Sequence, residues 1–186
     1  GLAFRQTAGA QKLVRDFDGT TLHFSKENTS NGCIATVDVT YPTAPFALAF
    51  NPELLRAELT PVIRYAESEF WPHPFAPHDI GTYPLANGQV YRGGVHTKEQ
   101  MPVEECGNML ILTAALTFLE GNTSYSDAHR KTLRGWADYL AENGYAPDDQ
   151  LCTDDFAGTL AKNANLSLKT IMALASFARV CSMSGE

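Results

Sequence analysis

The chain is expected to be mainly α-helical, with a short β element near residues 20–39. Three observations carry this. The stretches around Leu110 and Leu174 are apolar on most sides of a 3.6-residue period, as helices covered on several faces are. Residues 124–143 are amphipathic instead, with Leu133, Trp136, Ala137 and Leu140 on one face. Turn residues at Asp18-Gly19 lead into a β-branched region before residue 40. A buried helix, an amphipathic partner, a long decorated loop and another buried helix follow the grammar of an α/α toroid, in which inner helices are covered and outer ones keep a polar face.

In chain order, residues 3–15 read as a short helix with Leu13 and Val14 near its end. After the Asp18-Gly19 turn comes a strand in which Thr21 and His23 alternate with Leu22 and Phe24. Residues 25–31 are polar and loop-like, and residues 33–39 alternate like a second short strand. Asn51-Pro52-Glu53 is a helix start, with an N-cap Asn and Pro at the first helical position. Leu54, Leu55, Leu59, Val62 and Ile63 keep the helical period to about Phe70, and Pro61 predicts a kink or break near Leu59. The next helix begins at Val103 or Glu104 and ends at Gly121-Asn122; Gly144 caps the amphipathic helix, and residues 163–183 form the last one. No fixed-period repeat is present. Residues 1–186 are therefore read as one domain, a segment of a larger helical toroid.

Composition excludes some partners. A net charge of -7 and a pI near 5.2 argue against nucleic acid and anionic membrane surfaces, which need a basic face. No apolar run approaches the ~20 residues of a membrane span. No signal peptide is expected within these residues, because Gly1-Leu2-Ala3 opens directly into a helix-like segment; that does not fix the compartment. Cys33, Cys106, Cys152 and Cys181 are widely spaced, without C-x-x-C, and are expected to be free thiols. H-x-x-x-H and H-x-H are absent, so no metal is expected, and no cofactor. There is no G-x-S-x-G, Walker loop or dinucleotide fingerprint.

Candidate chemistry lies in residues 77–107, a long segment without helical or strand period. Irregular segments of this length in a compact domain usually line a site. It carries His78, Asp79, Tyr83 and Asn87 and ends in Glu104-Glu105 at a helix entry. A second acid pair, Asp154-Asp155, sits at another loop-to-helix junction. Two carboxylate pairs on loops suit general acid–base chemistry on a neutral polar substrate. Glu104, Glu105, Asp154 and Asp155 are thus the catalytic candidates, against the simpler reading of capping and helix-dipole complementation. Lys26, Asn28, His78, Asp79, Tyr83, Asn87 and Asn165 are the substrate-binding candidates, because amides, tyrosines and charged groups recognise small polar ligands. Gly107 allows close approach by a loop or ligand. Cys106 is rejected as a nucleophile for want of a paired His.

Four ordered blocks carry a resemblance: SKENTSNGCIATVDVTYP (Ser25 to Pro42), APHDIGTYPLANGQVY (Ala76 to Tyr91), MPVEECGNMLIL (Met101 to Leu112), and CTDDFAG (Cys152 to Gly158) followed by LAKNANLSLKTIMAL (Leu160 to Leu174). Across nearly the whole chain the sequence resembles the central domain of the fungal and bacterial glutaminase A family. The resemblance implies an extracytoplasmic, secreted or periplasmic hydrolase with an (α/α)6, six-hairpin glycosidase-like toroid. It also implies that glutamine is hydrolysed to glutamate and ammonia. It transfers no catalytic residue. A full ring needs roughly 350 residues at ~12–20 per helix plus connections, so this chain supplies part of one.

The expected chemistry is a carboxylate activating water against the side-chain amide, with a second acid protonating the departing ammonia. The alternatives are glycoside hydrolysis on the same toroid with a Glu/Asp pair, or a non-catalytic half-ring completed by the missing remainder of its own chain. Inner helices without their neighbours would favour self-association of the isolated chain.

Overall fold

The computed structural model describes residues 1–27, 30–153 and 158–186. Helix α1 (Leu2–Gly9) leads into a hairpin of β1 (Gln11–Arg15) and β2 (Thr21–Ser25), followed by α2 (Val37–Phe50), α3 (Pro52–Ala66), α4 (Pro102–Glu120), α5 (Ser124–Ala128), α6 (Arg130–Asn143) and α7 (Ala164–Ser184). The strands are antiparallel, with Leu13 opposite His23 and Val14 opposite Leu22. The expected helix over residues 3–15 therefore stops at Gly9. Gly is a poor helix former and Val14 prefers an extended backbone, so pairing with β2 wins over local periodicity. The hairpin turn is held by Arg64 of α3, whose guanidinium donates to Asp16 Oδ2 (2.8 Å), Asp18 Oδ2 (2.8 Å) and Thr20 Oγ1 (3.0 Å).

The second expected strand, over residues 33–39, is replaced by single bridges, Lys26 with Ile34 and Cys33 with Thr82, after which α2 begins at Val37. The β-branched residues misled here because tertiary burial overrides propensity. Val37, Thr40, Ala44 and Ala47 recur at helical spacing and are buried, while Pro42 and Pro45 sit on the exposed side. Helix α3 starts as expected, with the Asn51 side chain accepting from Glu53 N (3.1 Å). It runs through Pro61 without interruption and ends at Ala66 rather than near Phe70. The helix expected over 124–143 divides at His129, whose φ of -111° and ψ of 17° leave the helical region.

Helix α4 is the hub. It packs most extensively against α7 and also touches α2, α3, α5 and α6. The core joins Leu55, Leu59 and Ile63 of α3, Met109, Leu110 and Leu116 of α4, Leu133 and Leu140 of α6, and Leu166 and Phe177 of α7. Pairs α2–α3 and α4–α6 are helical hairpins, and α7 packs on both members of the second. Two glycines let α7 come this close. A Cβ on Gly144, the C-cap of α6, would lie 2.3 Å from Thr170 Oγ1, and one on Gly107 would lie 2.7 Å from Lys169 Cγ. Gly144 is therefore required by close approach, not by a left-handed backbone, since its φ is -89°. The approach that Gly107 allows is that of the Lys169 side chain.

Two flanks remain uncovered. On α7, Leu168, Ile171 and Met172 are 62 %, 62 % and 59 % exposed, a helical stripe opposite its buried face. At the other end, Phe4 of α1 rests edge-on against Phe46 and Phe50 of α2. By length and composition α7 is also the one described helix apolar enough to cross a membrane, which the run-length reading did not register. It packs one face on α4 and α6 and leaves the opposite face exposed. We expect the isolated chain to self-associate through the α7 stripe in sedimentation velocity. Ile171→Glu with Met172→Glu should restore the monomer with unchanged helical circular dichroism; a wild-type chain that stays monomeric at high concentration would refute this.

Candidate functional site

The N-termini of α2 and α4 and the segment between α3 and α4 meet at one place. Asp38 stands in the first turn of α2, and Glu104 and Glu105 in the first turn of α4. Both glutamates are fully buried, so the dipole-complementation reading does not account for them. Such a role is satisfied at the surface, where it is worth ~0.3–1 kcal/mol. Asn108, one turn on, donates from Nδ2 to Glu104 Oε1 (3.1 Å) and Glu105 Oε2 (3.2 Å). Lys169 of α7 donates to Glu104 Oε1 and to Asn108 Oδ1 (2.7 Å), with its ammonium 4.4 Å from the Tyr41 ring centroid. Thr153 also donates to Glu104 Oε1. Among the described residues, Glu104 Oε2 and Glu105 Oε1 have no hydrogen-bond partner.

The long irregular segment is fixed by Asp79, which is fully buried. Its carboxylate accepts from Gly81 N (3.0 Å), Val90 N (2.9 Å) and Tyr91 N (3.1 Å) and lies 3.0 Å from His78 Nδ1. The His78 ring stacks on Tyr91 at 4.0 Å, and its Nε2 lies 3.7 Å from Asp38 Oδ1. Adjacent side chains point opposite ways in extended backbone, yet His78 and Asp79 pair. A bend at these residues, outside any strand, turns both inward. Buried Gln89 accepts from His78 N (2.7 Å) and donates to Gln100 Oε1 (2.9 Å).

Asp38, His78 and Glu105 each bring one nitrogen or oxygen atom to within 4.8 Å of the others. One nitrogen and two carboxylates form a donor set able to hold a divalent cation, as do Cys33, His78 and Asp79. The electrostatics also suit a retained proton. Burial, then the charges of Asp38 and Glu104, hold the Glu105 carboxyl well above the usual range. Burial raises Asp38 as well, reinforced by Glu104 and Glu27 and opposed by His78.

Beside this cluster a cavity of about 530 Å³ is lined by Glu27, Asp38, His78, Tyr91, Arg92 and Thr153, among others. Of the residues chosen from sequence, Glu104, Glu105, His78 and Asp79 come together at the cluster. Lys26, Tyr83, Asn87 and Asn165 do not line this cavity. Lys26 instead lies 5.4 Å from the exposed Tyr83 ring, Asn87 is exposed, and Asn165 is exposed beside the Asn163 cap of α7. Asp154, Asp155 and Asn28 fall outside the described residues. Sequence reading missed Asp38, hidden in the apparent strand. It also missed Lys169, whose signal was a lone cation in the apolar run LSLKTIMAL. All four cysteines are buried, and Cys33, Cys106 and Cys181 are free thiols.

The fold and site thus define a helical-hairpin protein with a buried carboxylate cluster at the N-termini of α2 and α4. The chain matches the family described as the glutaminase A six helical-hairpin domain over residues 1–186, and it belongs to that family. It is 42% identical over 189 residues to Glutaminase A of Aspergillus oryzae, with 100% of this chain and 26% of that protein aligned. It is 31% identical over 229 residues to a probable glutaminase of Arthroderma benhamiae, with 93% of this chain and 26% of that protein aligned. The chain therefore spans about a quarter of the length of these curated relatives.

The raised Glu105 carboxyl has a consequence for stability. The folded state holds its proton above the ordinary value of 4.5, so the native form binds more protons than the unfolded one. Its favourable contribution is complete below pH 4.5 and is lost as pH rises through the folded value. Glu105→Gln should therefore melt higher than wild type at alkaline pH and converge with it in acid, as scanning fluorimetry across pH would read. Equal melting points throughout would mean that Glu105 is not proton-loaded. Gly107→Ala should push Lys169 off Glu104 and destabilise the chain by ~1–3 kcal/mol, the usual cost of overpacking. Denaturant unfolding with unchanged stability would show that Lys169 yields freely.

Proposed function

We propose that this chain forms the carboxylate-bearing wall of a glutaminase active site within a longer polypeptide. The reaction is hydrolysis of the side-chain amide of glutamine by carboxylate-activated water. The observation that carries it is the convergence of Asp38, His78 and Glu105 within 4.8 Å beside a cavity of about 530 Å³. The names of the two relatives support the choice of substrate.

Asp38, on the cavity wall, is the base that takes a proton from water attacking the amide carbon. Glu105, whose burial keeps it protonated, is the acid that supplies the departing nitrogen. Two carboxyls this close have split roles because they do not both ionise readily. Asp79 orients His78 beside Asp38, and Lys169 with Asn108 holds Glu104 and the adjoining turn of α4. Asp154 and Asp155 remain candidates for a further acid, on the segment that follows Thr153.

The test uses the intact protein. It should release ammonia from glutamine, and Glu105→Gln should cut turnover by ~10²–10⁴-fold, with Asp38→Asn in the same range. Ammonia release unchanged in both variants would reassign the cluster to structure. Cleavage of a glycoside panel without ammonia release would favour the glycosidase alternative. In that case the Asp38–Glu105 approach of at most 4.8 Å lies nearer the ~5–5.5 Å of retaining than the ~6.5–9.5 Å of inverting enzymes.

A further inference from the structure

The cavity beside the cluster has a distinctive charge pattern. Glu27 and Asp38 line it, and Glu104 and Glu105 lie buried behind it, so the site repels anions. Among the described residues lining the cavity, Arg92 is the one permanent cation. A free amino acid brings a carboxylate and an ammonium, and its carboxylate needs such a partner to enter.

Arg92 is also placed with unusual care. Its φ is +47°, a backbone region that residues with a Cβ enter rarely and that marks built sites when the surroundings enforce it. The enforcement is visible. The N–H groups of Val90 and Tyr91 are taken by Asp79, and Gly93 N and Gly94 N close turns on Val90 O (3.1 Å) and Tyr91 O (2.9 Å). The same carboxylate orients His78, so Arg92 is registered to the reacting cluster through one buried group. Its present partner, Glu99 Oε2 at 2.6 Å, is an exposed surface pair of the kind that exchanges at little cost. Tyr91, between them, packs its ring on His78.

We propose that Arg92 is the specificity residue that binds the α-carboxylate of the amino-acid substrate, with Glu27, which lines the same cavity, receiving the α-ammonium. The proposal rests on the amide-hydrolase reading for the identity of the substrate. A guanidinium pairs a carboxylate through two parallel N–H bonds, which lysine does not reproduce. The site would then accept free glutamine and discriminate against the same side chain when its α-carboxylate is blocked.

The experiment compares the intact protein with Arg92→Met and Arg92→Lys on L-glutamine and on its α-carboxamide, L-glutaminamide, following ammonia release. Binding of the product L-glutamate is measured by calorimetry. In Arg92→Met the KM for glutamine should rise about 10- to 100-fold with kcat nearly unchanged, the mark of lost ground-state binding to a charged group. The preference of wild type for glutamine over glutaminamide should vanish in that variant, and Arg92→Lys should recover only part of the loss. An unchanged KM in Arg92→Met, or equal losses on both substrates, would overturn the assignment while leaving the hydrolase reading intact. Arg92-dependent glutamate binding without any ammonia release would remove the reaction and keep the subsite. Neither binding nor turnover would remove both.

Discussion

The site depends on the buried carboxylate of Asp79. Taking an ionised carboxylate out of water costs several kcal/mol unless its lone pairs are met. Here three backbone N–H groups and the His78 ring meet them, at 2.9–3.1 Å. Bonds to a charged acceptor are roughly twice as strong as neutral ones. Four of them pin residues 78, 81, 90 and 91, which otherwise have little regular structure to hold them. The segment thereby becomes a fixed wall of the cavity, with His78 facing Asp38 and Tyr91 stacked behind it.

The second constraint is the contact between α4 and α7. Gly107 removes the side chain that would keep these two helices apart, as Gly144 does where α6 meets α7, and the space at Gly107 is filled by the stem of Lys169. The stem carries its ammonium past apolar neighbours to Glu104, Asn108 and the Tyr41 face. The packing of α7 on α4 therefore also delivers a lysine to the cluster. A helix that merely covered α4 could have been wholly apolar; Lys169 in its middle couples the fold to the site.

Much of this was legible in the sequence, for physical reasons that differ by element. The helices over α3, α4 and α7 announced themselves because caps and apolar periods agreed: Asn51-Pro52 at the start of the first, Gly121 at the end of the second and Asn163 at the start of the third. The first strand and α2 did not, because their states are decided by partners distant in sequence. Gln11 to Arg15 are extended only because β2 pairs with them, and Val37 to Thr40 are helical only because α4 buries them. The same error hid Asp38, since a residue read as part of a strand cannot be placed in a helix's first turn. His78, Asp79, Glu104 and Glu105, which lie together in the structure, stood out in the sequence because irregular, acid-bearing segments are conspicuous locally. Tyr83, Asn87 and Asn165 share that composition but lie outside the cavity, which composition does not resolve.

Why the cluster should store a proton follows from comparing two opposed effects. The N-termini of α2 and α4 both favour negative charge, by ~0.3–1 kcal/mol at each exposed carboxylate and up to ~2 kcal/mol in partly buried geometries. Desolvation of a fully buried carboxylate works the other way, and at Glu105 it is the largest influence, holding the carboxyl well above the usual range. Asp38 and Glu104 add repulsion on the same side, and Lys169 is already committed to Glu104. The dipoles therefore lose at Glu105 and its proton stays. Asp38 keeps an edge to the cavity and an imidazole at 3.7 Å, so less opposes its charge. Two acids on neighbouring helix entries are thus driven apart in protonation by a difference in burial.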